Sequence, residues 1–154
     1  MTSHPDTPRA LIGWRLLALL YDFFPALALW MVAGAIFTVG YQLAGHGARE
    51  YIAPFSALQW LLWLVCWLLT GTYAIASWRR GGQTLGMRPW RLKVLRADGR
   101  PAGTKALLVR YAVATLSLAA GGLGLLWTFV DRERRAWHDL ASGTVLVRLD
   151  APPR

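Results

Sequence analysis

Asp22 lies within Leu16–Tyr41, a stretch otherwise free of charge and long enough to cross a bilayer, and Arg15 stands seven residues before it at the head of that stretch. An ionisable group at membrane depth costs several kcal/mol and persists only with a partner or a function. The chemistry open to such a carboxylate is proton or cation relay, with Asp22 as the exchangeable group and nearby guanidiniums setting its pKa. Arg110 is the other strongly charged residue inside an apolar run, and Asp139 lies in the patterned segment AWHDLASGT. A spacing of seven puts Arg15 and Asp22 within about 20° of one face of an ideal helix. Side chains tilt toward the helix start, however, so Asp22 leans toward Arg15 while Arg15 leans away toward the headgroups. The two are aligned without being paired. The predicted pairs are Asp22 with Arg110 and Arg15 with Asp139, a network that serves either as an ion relay or as a structural salt-bridge cluster.

His138 is next to Asp139 and carries a side chain that titrates near neutral pH, which suits a sensor at the cytoplasmic mouth of a proton-coupled path. Adjacent residues on a helix do not share a face, so a packing or hydrogen-bonding role is the plain alternative. His4 and His46 are remote from any carboxylate cluster, and no metal-ligand spacing occurs. The single cysteine, Cys66, is inside an apolar segment and reads as a small core residue. There is no phosphate-binding glycine loop with its lysine, no HExxH and no GxSxG. The sequence therefore predicts no enzyme, no cofactor and no metal.

These residues need elements to hold them. With 154 residues, 55% of them hydrophobic and 16% charged, the chain is too apolar for a typical soluble domain and sized for one small membrane domain. The first run, residues 16–41, would extend roughly 39 Å as a helix, more than the hydrocarbon thickness, so it must tilt, kink or protrude. Pro25 should bend it near Asp22 and free a carbonyl there. A polar loop over Gln42–Ala53 leads to Pro54, which opens a second span over 54–78. Trp60, Trp63 and Trp67 fall on one face of that span, a surface for lipid or helix packing.

Residues 79–105 carry eight basic side chains against Asp98 alone. The positive-inside pattern puts this loop in the cytoplasm, and with it the 1–15 segment that contains Arg9 and Arg15. Arg79, Arg80, Arg88 and Arg91 are placed to meet anionic lipid headgroups, so the net charge of +9 belongs to a bilayer partner and not to nucleic acid. Within the loop, RLKVLRADGR alternates before an Asp98–Gly99 turn signal and reads as a short strand; TVLVRL, Thr144 to Leu149, reads as a second. If they pair, both ends of the intervening apolar segment, 106–130, are cytoplasmic. Arg110 and the glycines at 121, 122 and 124 interrupt that segment, which predicts a broken, re-entrant or interfacial helix pair more than a plain third span. The tail, 131–154, begins with the charged DRERR.

Three blocks in this order, WRLLALLYD, QTLGMRPWRLKVLRADGRP and WHDLASGTVLV, resemble the RDD family of small bacterial membrane proteins, named for one arginine and two aspartates. Carried over residue by residue, the family's arginine is Arg15 and its aspartates are Asp22 and Asp139. Met87 departs from the basic residue that many relatives look to have after the glycine. The resemblance implies one RDD-like domain over 1–154 in the bacterial cytoplasmic (inner) membrane, with proposed roles in transport, including cation/proton antiport.

The expectation is thus an all-α membrane protein with two transmembrane helices, a third broken, re-entrant or spanning hydrophobic segment, and a small cytoplasmic β element. Its function is transport, in the form of proton-coupled exchange of a monovalent cation through the Arg15, Asp22, Arg110 and Asp139 network. With so few spans, a water-filled path would need assembly into a homo-oligomer. The alternative is a non-transporting membrane scaffold or accessory subunit in which the same charges only hold the fold.

Overall fold

A computed structural model describes residues 11–47 and 50–149. Arg9, and the two chain ends on which the orientation of the termini rests, lie outside the described residues. The long apolar runs become two helices, α1 over Ile12–Leu43 and α2 over Ala57–Gly81. Both are long and apolar enough to cross a membrane. Helix α1 begins before the predicted run, taking Trp14 and Arg15 into its first turns, and continues through Pro25 as one helix. Its buried side chains are Arg15 and the alanines at 18, 26 and 33, so the face turned inward is a strip of small residues. The bulky residues point outward, with Leu20, Phe24, Met31 and Ile36 all exposed. That inversion is stable when hydrocarbon is the solvent, where close helix approach through small residues replaces the hydrophobic drive.

Pro54 does not open α2. The chain turns at Phe55, whose φ is +59°. Ser56 then takes the N-cap, as a serine hydroxyl does well, its Oγ accepting from the Gln59 amide at 3.2 Å. Indole and hydroxyl groups bond between helices. Trp30 Nε1 donates to Thr70 at 2.9 Å, joining α1 to α2, and Trp67 Nε1 donates to Thr115 at 3.1 Å, joining α2 to the next helix. Trp60 and Trp63, from the predicted stripe, are exposed.

The third apolar segment is broken. Helix α3 covers Thr104–Ala119, and α4, Leu123–Leu126, runs on through a 3-10 turn to Phe129 at an angle of 106°. Gly121 and Gly122 make the corner with φ of +69° and +82°, a backbone that residues with a Cβ rarely adopt. After the corner comes the short helix α5, Trp137–Ser142, which packs along α3.

Two strands close the structure. β1, Leu92–Arg96, pairs antiparallel with β2, Thr144–Arg148, with Val94 opposite Leu146. Leu92 and Val94 alternate into the core while Arg96 is exposed, the period-two pattern of a one-sided sheet. The turn after β1 is tied by the Arg100 amide, which donates to the Asp98 carboxylate at 3.0 Å. Because β2 returns to β1, which leads into α3, the bent segment ends on the side where it began. The apolar core sits at this end: Ala18, Met87, Leu92, Val94 and Leu107, flanked by Trp14, Trp78 and Trp90.

Candidate functional site

Asp139 is at the third position of α5, where a carboxylate reaches back to the helix start; its Oδ2 accepts from the Ala136 amide at 3.0 Å. The side chain is fully enclosed. Two arginines converge on it from other helices. Arg15 of α1 donates through Nη2 to Oδ2 at 2.7 Å, and Arg110 of α3 donates through Nη1 to Oδ1. The Arg110 Nη1 also donates to Thr144 Oγ1 at 2.7 Å, and its guanidinium carbon lies 5.5 Å from the centre of the Trp78 ring. One carboxylate thus ties α1, α3, α5 and the head of β2 together. Burial works against its ionisation, but the charges of Arg110 and Arg15 outweigh that cost and hold the carboxyl below the ordinary carboxylate range.

His138 is buried beside this cluster, with Nε2 3.4 Å from Arg15 Nη1. Burial first, then the charge of Arg110, pushes its pKa down to about 3. Such a shift leaves the ring neutral near physiological pH. A neutral ring accepts at Nε2 from the guanidinium and keeps its proton on Nδ1.

Asp22 is held differently. It is half-buried and, among the described residues, meets no arginine; the predicted pairing with Arg110 does not form, because Arg110 is turned toward α5 and β2 and bonds Asp139 instead. Three neutral donors take its place. Tyr73 of α2 donates to Oδ1 at 2.7 Å, the Gly86 amide donates to the same oxygen at 2.9 Å, and Thr84 donates to Oδ2 at 2.5 Å. The Leu85 amide donates in turn to the Tyr73 hydroxyl at 3.0 Å. The turn Thr84–Gly86 therefore lies directly on α1. A Cβ on Gly86 would collide with the Ala18 carbonyl and come within 2.7 Å of the Asp22 side chain, so only glycine fits.

Between the two carboxylates, α1, α2 and α3 leave a cavity of about 200 Å³. Arg15 and Asp22 border it from α1, Tyr73 and Trp78 from α2, Arg110 and Ala114 from α3. Among the described residues, no three His, Cys, Asp or Glu side chains converge to hold a metal ion. Arg79, Arg80, Arg88 and Arg91 are all exposed and do not line the cavity. Met87 is buried, and its sulfur accepts from Trp78 Nε1 at 3.4 Å, which makes it a core residue.

The residues missed in the sequence are neutral: Tyr73, Thr84 and Gly86 around Asp22, and Thr144 on Arg110. The signal available for the first set is the QTLGM block itself, whose threonine and glycine are the residues that meet Asp22.

The sequence profile of the RDD family matches residues 9–143, most of the chain. The chain belongs to the RDD family. No curated protein and no solved structure matches it. Family membership and the two long apolar helices fit an integral membrane protein. Arg15, Asp22, Arg110 and Asp139 all lie within the RDD match.

Proposed function

We propose that this RDD protein is a non-transporting membrane scaffold or accessory subunit, in which the arginine and aspartates clamp the re-entrant segment and the two-stranded cap onto the spanning helices. The observation that carries this is the Asp139 carboxylate: it is fully enclosed, and guanidiniums and its own helix's amide occupy both oxygens. A group so enclosed has no route by which to exchange a proton or cation without breaking the fold. Asp22 supports the same reading, since three donors already serve it.

In this reading the protein resides in the bacterial cytoplasmic membrane with both chain ends inside. Arg79, Arg80, Arg88 and Arg91 lie against anionic headgroups, and no catalytic step occurs. A second reading, proton-coupled cation exchange by a homo-oligomer with Asp22 as the relay group, draws its support from the cavity that Asp22 borders together with Tyr73 and Thr84.

Reconstituted vesicles separate the two. The clamp reading expects wild-type proteoliposomes to match empty vesicles under proton, sodium, potassium or lithium gradients, while Asp22→Asn lowers only the unfolding temperature. Wild-type flux that Asp22→Asn abolishes in a still-folded protein would establish exchange instead.

A further inference from the structure

The clamp leaves the cavity without a role. Leu19, Ala114 and Leu118 contribute apolar lining, and Arg15 and Arg110 contribute guanidiniums. These two guanidiniums share one carboxylate, so the cluster holds one positive charge in excess. Arg110 has committed Nη1 to Asp139 and Thr144, and its Nε is sealed without a partner. A guanidinium has a second terminal nitrogen with its own donors. The Arg110 Nη2 donates to nothing among the described residues and is not sealed, so this end of the fork meets open space. Arg110 is among the residues that line the cavity. Asp22 also borders the cavity and is bonded by the neutral groups of Tyr73, Thr84 and the Gly86 amide, so an anionic head is drawn to Arg110 and not to that carboxyl.

The cavity also reaches the outer flank of the helices. Leu19 and Leu118 line it and are 40% and 52% exposed, on surfaces that acyl chains would cover. An apolar cavity of about 150 Å³ already holds a benzene ring, so this one has room for a small head and its adjoining methylenes. Arg110 lies six residues after the first residue of α3, about 9 Å by helical rise, a depth near the headgroup boundary. We infer that this cavity binds a single-chain anionic amphiphile from the bilayer, its carboxylate or phosphate head on Arg110 and its chain leaving past Leu19 and Leu118. The site stands whether the Asp139 cluster is purely a clamp or also part of a path.

The test is native mass spectrometry of the full chain in a neutral detergent with four probes of one chain length: hexadecanoate, hexadecyl phosphate, hexadecanol and hexadecylamine. At least one anion should be retained as a single adduct with about tenfold preference over the alcohol and the amine; the tighter of the two identifies the head. Ala114→Leu fills the cavity from α3, one helical turn from Arg110, and should lose that preference at an unchanged unfolding temperature. Leu118→Trp, at the exposed rim, makes the same test without entering the packed interior. Equal or tighter binding of hexadecanol or hexadecylamine overturns the site. So does displacement of the bound anion by inorganic phosphate at equal concentration, or an adduct undiminished in both variants.

Discussion

Asp139 and Asp22 are both acidic groups that hold a helix to its neighbours, yet one is held by full charges and the other by dipoles. Asp139 is enclosed completely and has two guanidiniums. Asp22 is half-buried and has a phenol, a hydroxyl and an amide. Enclosure explains the difference: a carboxylate removed from all solvent needs opposite charge to remain ionised, whereas one at partial exposure is satisfied by oriented neutral donors. The two sites should therefore fail differently, and by different amounts.

Asp139→Asn is the most damaging change, since it strands two buried guanidiniums; breaking such a pair costs about 3–5 kcal/mol. The measurement is unfolding temperature and monodisperse yield in detergent, and a loss no larger than that of Asp22→Asn would erase the contrast. Acid should probe the same cluster through His138. The folded ring is held down to about 3 while an unfolded one titrates at 6.5, so the unfolded chain takes up the proton first. Stability then falls as pH drops below 6.5 and levels off near 3. The slope for one such proton is at most about 1.4 kcal/mol per pH unit. Asp139, with a depressed carboxyl, keeps its full contribution down to about 3.8, its unfolded value, and loses it progressively as pH falls below that. His138→Phe should flatten the slope, and an unchanged slope would move its origin to another group.

At the second site, Gly86→Ala forces the turn off α1 against the Ala18 carbonyl, an overpacking cost of about 1–3 kcal/mol. It should also loosen the Asp22 contacts, visible as faster exchange of the Leu85 and Gly86 amides. Asp22→Asn should cost least, about 1 kcal/mol, because the side-chain oxygen can still accept from Tyr73 and Gly86 while the Thr84 hydroxyl turns to accept. A cost at the level of Asp139→Asn would mean that Asp22 has an ionic partner after all.

Much of the fold was legible because apolar length, glycine breaks and alternation act locally. The two long runs, the corner at Gly121–Gly122 and the pairing of LKVLR with TVLVR each follow from a few adjacent residues. The contact between Arg15 and Asp139 was also within reach, since few opposite charges were available to an arginine at that depth. The Asp22–Arg110 pairing failed for a geometric reason. Charge balance along the chain counts partners but carries no information on rotation about a helix axis, and Arg110 faces α5 and the head of β2, where Asp139 and Thr144 respectively await it. Tyr73, Thr84 and Gly86 were invisible because neutral donors leave no charge pattern, and a glycine needed for close approach looks the same as one needed for a turn.

The reach of the Asp139 contacts sets an order of events during synthesis. Arg15 leaves the ribosome 124 residues ahead of its counterion, and Arg110 leaves it 29 ahead. Until Asp139 and β2 are translated, neither guanidinium has this neutralising neighbour and β1 has no strand beside it. Helices α1 and α2 therefore wait in a half-assembled form, and a chain halted before Asp139 cannot complete the structure, so its own charges distinguish a finished product from an unfinished one.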